Sequence, residues 1–518
     1  MKKFNYILLA AAAMVSFAAC SEKALDEVNQ DVNHAHDAEA KFVFADVATS
    51  TAFSVVGGDF NTYFGVAVEH WGGVHNQLFK ADQRNGEWIS SSCFNNAWVS
   101  IYNTIKNARV VITKTLDDAE NAVDAGNTGL NAAAKILLAY DSAVLTDLFG
   151  DTPYSQAGDY WTYPTPTLDK QEDIYKKANA LLGEAIDELA DAEDLYIDNF
   201  DLIYSSAEDP VDCWLKFAYG LRARLALHTI LRAGNKTDVY EQILSDIGNS
   251  FTSAEEQAQF TAYDADSQLS PLGAFQYSRE AIAASQSMAD KFAEREDPRG
   301  NMIYCENYWL SYSLPHVRMD SEDFFPVPNG AGIEAQEYYT EDCYLWTLNA
   351  PTFLLSYCEL QFIKAEVLAR LGREAEAKDA ALEAIKAAFD ITNTNVRSAR
   401  YSWGFGYRGN MLTGEDAEAY FERVVAPLSG EELLAEIMVQ KYISFHGANG
   451  GSVEAYNDVR RLKAEGKDYI ELANPSAKFP LRAGYGSSDT TTNPNIQSAF
   501  GDGSYVFTEP VWWAMGTR

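Results

Sequence analysis

The chain has 518 residues, with 75 acidic and 40 basic side chains and a formal charge of −35 at pH 7. So acidic a surface repels phosphate backbones and anionic headgroups alike, which argues against nucleic acid as a partner. The 47% hydrophobic content suffices for a full core, and six cysteines without a C-x-x-C pair argue against a disulfide framework and a structural zinc site. Cys93, Cys213, Cys305, Cys343 and Cys358 are expected to be buried thiols.

Lys2 and Lys3 precede a short apolar run, Tyr6 to Val15, that ends in the small pair Ala18 and Ala19, the layout of a secretory signal. That run is well below the roughly 20 residues a spanning helix needs, and no other segment reads as long enough. Cys20 follows at once. F-A-A-C resembles the lipobox at which bacteria acylate a cysteine and cleave before it, with Phe17 in place of the usual Leu. The expected organisation is a signal over 1–19, a lipidated polar tether over 20–40 and a single helical-repeat body over 41–518. Each buried acyl CH₂ adds about 0.8 kcal/mol to such an anchor. Loss of Lys2 and Lys3 with the signal moves the formal charge from −35 to −37. His34, His36 and Asp37 are metal-ligand types, but a tether closes a coordination shell poorly and no metal is expected there.

Beyond the tether, helical periodicity dominates. Helices are readable near 92–116 and 129–149. In QEDIYKKANALLGEAIDELA, Ile174, Ala178, Leu181, Leu182, Ala185, Ile186 and Leu189 recur at helical spacing, as do Trp214, Phe217, Leu221, Leu225 and His228 in WLKFAYGLRARLALH. His228 on that apolar stripe reads as a satisfied core histidine. Another helix runs near 278–294. From about Ser356 to Leu371, Leu360, Ile363, Val367 and Leu371 share a face, with Gly372 placed to stop the helix. An Ala-rich helix through Ala377, Ala381, Ala384, Ile385 and Ala388 completes an antiparallel hairpin of about 34 residues, the unit of a tetratricopeptide array. Further helices lie near 430–446 and 452–463. Stretches without clear period cover 57–91, 150–168, 300–352, 391–416 and 464–518. The predicted fold is mainly α, a tetratricopeptide-like helical-repeat scaffold with long irregular loops and a few short β-hairpins.

Catalytic signatures are lacking: the sequence holds no H-E-x-x-H, G-x-S-x-G, P-loop or G-x-G-x-x-G after a strand, and no enzyme activity or cofactor is expected. Arg460 and Arg461 beside Asp458 read as a helix-end ion pair. Asp147, Gly150, Asp151 and Pro153 read as residues that end a helix and steer the chain. The 13% aromatic content is more informative. Sugar rings present flat C–H faces that pack on Trp and Tyr, and their hydroxyls need polar partners. Three loop clusters supply both. EHWGGVHNQLFKADQRNGEW holds Trp71, Asn76, Gln77, Arg84 and Trp88; CENYWLSYS holds Tyr308, Trp309 and Tyr312; YSWGFGYRGN holds Trp403, Tyr407 and Arg408. Any single tryptophan is more often core than platform; clusters in loops favour a platform. The expected site is Trp71, Trp88, Tyr308 and Trp309 with Asn76 and Arg84 as polar partners, and Trp403 as the other candidate.

Seven segments resemble the SusD/RagB family of outer-membrane nutrient-binding lipoproteins, in particular its SusD-like branch. They are AKILLAYDSAVLTDLFGDTPYSQA (134–157), YPTPTLDKQEDIYKKANALLGEAIDEL (163–189), WLKFAYGLRARLALH (214–228), DPRGNMIY (297–304), SYCELQFIKAEVLARLG (356–372), IMVQKYISFHGANGGSVEAYNDVRR (437–461) and FPLRAGY (479–485). After the last, the chain departs from the family's Pro and Glu with Gly486, Ser487 and Ser488. The resemblance implies a glycan site built from the segment after the first helices and from the long mid-chain insertion, here the first two clusters. It also implies a lipid-anchored outer-membrane protein facing the exterior, a lid on a SusC-like TonB-dependent transporter that hands over an oligosaccharide, with peptide as second choice. A purely scaffolding lipoprotein and a secreted glycan hydrolase are the rival readings.

Overall fold

The apolar stripes become helices that pair largely in sequence order. The computed structural model describes residues 38–119, 123–311, 313–330 and 332–518. The signal, Cys20, His34, His36, Asp37 and Tyr312 lie outside the described residues. Helix α1 (Ala40–Ser50) passes through a π-helical turn (Thr51–Val56) to α2 (Asp59–Ala67), followed by α3 (Asn95–Lys114), α4 (Thr128–Phe149), α5 (Gln171–Asp191), α6 (Pro210–His228) and α7 (Lys236–Gly248). Then come α8 (Pro271–Arg279), the single turn α9 (Tyr308–Ser311), α10 (Tyr357–Arg370), α11 (Glu374–Trp403), α12 (Gly414–Val424), α13 (Gly430–Phe445) and α14 (Gly451–Ala464). Neighbours pack as α1 on α3, α3 on α4, α4 on α5, α5 on α6 and α6 on α7, while α10 packs on α11 and α13, and α14 on α2. Ala40–Arg518 forms one compact unit. This is the mainly helical, repeat-like scaffold that the periodicities predict.

Local chemistry sets the helix ends. Asn127 Oδ1 accepts from Leu130 N at the start of α4, Pro210 opens α6 behind the Asp209 cap, and Ser356 caps α10 through Glu359 N. Gly372, at φ +74°, ends α10 as its position predicts. The α5 stripe is buried at Ile174, Ala178, Leu182, Ala185, Ile186 and Leu189. From Gly129 to Phe149 every residue of α4 is buried, so this helix is the axis of the core.

Four expectations are corrected. Helix α11 runs on to Trp403 and absorbs part of the stretch read as irregular, because Asn393 and Asn395, poor helix formers, find tertiary partners: Asn393 pairs with Leu412, and Asn395 donates to Gly447 O at 2.8 Å. The helix predicted over 278–294 is instead a strand, Ile282–Ala284, and a helix, Gln286–Glu294, capped by Ser285. Among the described residues the strands do not form hairpins. Six short ones, β1 (Trp71–Gly73), β2 (Ala258–Phe260), β3 (Ile282–Ala284), β4 (Tyr304–Cys305), β5 (Glu341–Asp342) and β6 (Thr352–Leu355), pair antiparallel as β1–β3, β2–β6 and β4–β5 across long sequence distances. Finally, the helical run Ala40–Ala67 has the length and mean hydropathy, 1.2, to cross a membrane. It is a core element here: Phe44, Val47, Val55, Phe60 and Phe64 are fully buried, and Gly57 and Gly58 interrupt it.

The core also holds charge. Arg461 grips Glu366 at 2.6 and 2.8 Å and Asp458 at 2.7 Å, so the expected ion pair is the edge of a larger network that includes Lys441 on Asp458 at 2.8 Å. Arg460 instead donates to the carbonyls of Asp147 and Leu481. His228 lies between Glu454, at 2.8 Å, and Asp147, at 3.1 Å. Asp151 accepts from Gln171 N and Lys170 Nζ and so turns the chain into α5. All five described cysteines are free and buried.

Candidate functional site

Two of the three aromatic clusters meet; the first does not join them. Trp71 is 1% exposed in β1, with its ring lying where a Cβ on Gly65 of α2 would stand, only 2.4 Å away, so the close approach depends on that glycine. Trp88 is fully buried against Tyr63, Phe64 and Phe94, its indole N–H donating to Ala81 O at 2.8 Å. Arg84 is buried too, donating to Ala67 O, Lys478 O and, at 3.2 Å, to Glu69 Oε1. Burial depresses its pKa, and the Glu69 and Asp82 carboxylates work against that. These three residues therefore belong to the scaffold. The segment looks aperiodic because its tryptophans sit on short pieces buried from more than one side, not because it is surface loop. Asn76 and Gln77 are exposed, and Asn76 N donates to Glu334 Oε1 at 2.7 Å.

The second and third clusters share one aromatic surface. Tyr308 of α9 lies 5.3 Å from Trp403, the last residue of α11, and 6.5 Å from Trp309 between ring centroids. Tyr277 of α8 stands 5.0 Å from Trp403. Beneath them Trp346, fully buried, contacts Tyr308 at 4.8 Å and Trp403 at 5.4 Å. Tyr277 is 51% and Trp309 40% exposed, Leu310 extends the apolar rim, and Tyr308 and Trp403 are half-buried. Gly404, at φ +68°, ends α11 just after Trp403. Tyr407 and Arg408 fold back locally, Arg408 donating to Phe405 O and Tyr407 O. Tyr277 was not among the candidates, and the short α8, with Pro271, Leu272, Gly273 and Gln276 buried, carries no stripe that marks it as exposed.

One buried carboxylate binds this surface together. Glu341 Oε2 accepts from Tyr308 N at 3.1 Å and Trp346 Nε1 at 2.9 Å, while Oε1 accepts from Gln276 Nε2 at 3.0 Å. The three aromatic elements thus share one acceptor. Burial pushes Glu341 up to about 8, against the pull of its donors. Glu280, at the end of α8, is raised to about 7, first by burial and then by Glu337. Asn307 caps the Trp309 turn and donates to Gln336 O and Tyr339 O, so α9 is moored to the loop that Asn76 also reaches through Glu334. Removal of the shared acceptor by Glu341→Ala strands three buried donors at about 1–3 kcal/mol each. An unfolding free energy lower by on the order of 3 kcal/mol or more in urea titration is expected; an unchanged one refutes the role. No group of three His, Cys, Asp or Glu able to hold a metal ion occurs among the described residues.

Residues 72–481 match a SusD-like family described as starch-binding and associating with the outer membrane. The chain belongs to the SusD/RagB family. A SusD/RagB family protein from Bacteroides thetaiotaomicron is 39% identical and superposes with a TM-score of 0.87, over 93% of this chain and 100% of that one. A SusD homologue from Bacteroides fragilis (18% identity, TM-score 0.69, 92% and 100% covered) and a chitin-binding SusD homologue from Flavobacterium johnsoniae (18%, 0.67, 92% and 98%) share the fold. Among curated protein sequences there is no match. Within the SusD-like body, the aromatic surface is built from the mid-chain stretch 271–346 and the end of α11.

Proposed function

We propose that this protein is a cell-surface lipoprotein that binds a neutral oligosaccharide on Tyr277, Tyr308, Trp309 and Trp403 and delivers it to a SusC-like TonB-dependent transporter in the outer membrane. The observation that carries the reading is the shared, partly exposed face of these rings over a rigid buried base. Such a face suits sugar C–H surfaces and gives shallow contacts that release the ligand again. The family's description as starch-binding and the chitin-binding homologue support a glycan as the ligand class. Neutral sugars are favoured because the chain as a whole carries a net charge of −35, Glu280 and Glu337 lie at the end of α8, and Arg84 is buried on Glu69 and offers the platform no charge.

Calorimetric titration with neutral oligosaccharides tests this. Trp309→Ala is expected to weaken binding about ten- to a hundred-fold, equivalent to about 1–3 kcal/mol, with the melting temperature nearly unchanged because the ring is 40% exposed. Binding only to peptides, or unchanged affinity in Trp309→Ala and Trp403→Ala, refutes the assignment. The anchor is tested separately. Cys20→Ala should release the protein from membranes, and a variant that still sediments with them in high salt contradicts lipidation at that residue. Co-purification with a transporter barrel from detergent-solubilised membranes tests delivery, and recovery of the protein alone while other barrel complexes stay whole counts against it.

A further inference from the structure

A cavity of about 620 Å³ lies along α3, and no residue of the aromatic platform lines it. Its wall is the face of α3 from Tyr102 to Lys114, with Ile105 and Val110 as an apolar floor and Asn103, Lys106, Arg109 and Thr113 as polar members, closed by Ala157–Asp159 of the loop after α4. The volume falls within the range of about 300–1,000 Å³ typical of small-ligand sites. Two features set the place apart from the rest of the molecule. The first is charge. Over its 20 residues α3 carries three cations and no carboxylate, and all three cations line the cavity, in a chain of net charge −35. Asp159 is the one acid in the wall, and its Oδ1 already accepts from Thr162 N at 3.0 Å. At physiological salt charges more than about 8 Å away are largely screened, so the local cations decide what the cavity attracts.

The second feature is aromatic. The turn that starts at Asp159 closes through Tyr163 N on Asp159 O at 2.8 Å and carries Trp161 at its apex, 92% exposed, with Tyr160 at 69% and 5.7 Å from it between centroids. Among the described residues no other tryptophan stands so far into solvent. The turn is not loosely held: Arg109 pins its base by donating to Ala157 O at 2.8 Å and Tyr154 O at 2.9 Å, with the guanidinium over the Tyr154 ring at 4.7 Å. With its backbone base pinned, the turn presents two adjacent aromatic rings beside the cavity mouth, a pair suited to stack on a sugar ring.

We propose that the α3 cavity and the Tyr160–Trp161 turn form a second saccharide site, for a sugar unit carrying a carboxylate or a sulfate. The indole takes the ring face, Lys106 takes the anion, and Asn103 and Thr113 are placed for hydroxyls. The site complements the platform, whose acidic surroundings select for neutral units. It does not depend on the platform.

The test is calorimetry on the mature protein with trigalacturonate and a sulfated chondroitin disaccharide as anionic probes, and galactotriose as the neutral control. At least one anionic probe should bind, more weakly as salt is raised. Trp161→Ala and Lys106→Gln should each weaken it about ten-fold or more, and Trp309→Ala should leave it unchanged. Both α3-site variants change exposed side chains, and unaltered thermal melts confirm that their folding is intact. The proposal is overturned if neither anionic probe binds, if binding ignores Trp161→Ala and Lys106→Gln, or if Trp309→Ala abolishes it. It is equally overturned if Trp161→Ala affects only adsorption to vesicles containing anionic lipid, which assigns the turn to a lipid surface.

Discussion

Trp88→Ala is expected to lower the free energy of unfolding by about 3–5 kcal/mol, the range for truncating a large buried aromatic. The indole is fully buried, ringed by Tyr63, Phe64 and Phe94 at 5.7–6.0 Å, and its N–H is satisfied by Ala81 O. Truncation therefore leaves a cavity that these rings, held by their own neighbours, cannot collapse, and removes one of the hydrogen bonds to the Ala81 carbonyl, which keeps its bond from Arg84 N. The urea midpoint should fall while the slope stays constant, since the surface exposed on unfolding hardly changes. Sugar affinity of the folded fraction should be unaffected. The opposite pattern, near-normal stability with lost affinity, would return Trp88 to the binding site.

The second large effect is a pH dependence set by His228. Burial pulls its pKa down, but Glu454 and Asp147 more than offset this and hold it at about 9, against an ordinary value of 6.5. Because the folded protein binds this proton more tightly than the unfolded chain, the contribution is complete below pH 6.5 and is lost as pH rises through 9. A shift of this size amounts to about 3 kcal/mol. Glu454 titrates the other way. Burial raises it, but His228 and Arg224 hold it down to about 2, so its contribution is present above 4.5 and fades as pH falls toward 2. Stability from this group of residues should thus be greatest between about pH 4.5 and 6.5. Urea midpoints at pH 6 and pH 9.5 measure the alkaline loss. Glu341 and Glu280, raised carboxyls, also lose stability toward alkaline pH, so His228→Gln is the discriminating variant. It should cost about 3–5 kcal/mol at pH 6 by leaving buried carboxylates uncompensated, and should show a smaller alkaline loss than the parent. An equal loss in both would remove His228 from the account.

The scaffold was legible where one rule governed each segment. The stripes of α5 and α6, the Ser356 cap and the Gly372 stop all follow from helical period and end chemistry, and His228 on its apolar stripe was legible as a core residue. Legibility failed where distant residues decide. Asn393 and Asn395 look like helix breakers until Leu412 and Gly447 satisfy them. Trp71 and Trp88 sit among glycines and polar residues that read as loop, yet β3 and the rings of α2 close over them. That Trp403 meets both Tyr308 and Tyr277 depends on α8, α9 and the Trp346 turn being drawn together on Glu341 beside the end of α11, and no local spacing encodes it. Trp161 falls between two segments that resemble the family, 134–157 and 163–189, in a short turn that carries no period of its own.

The position of a bound neutral oligosaccharide, determined crystallographically on the purified protein, tests the central claim most directly. The account predicts a pyranose ring face stacked on Trp309, with the chain running over Tyr277, Tyr308 and Trp403. A sugar bound elsewhere on the body, with these four rings left in solvent, would contradict it.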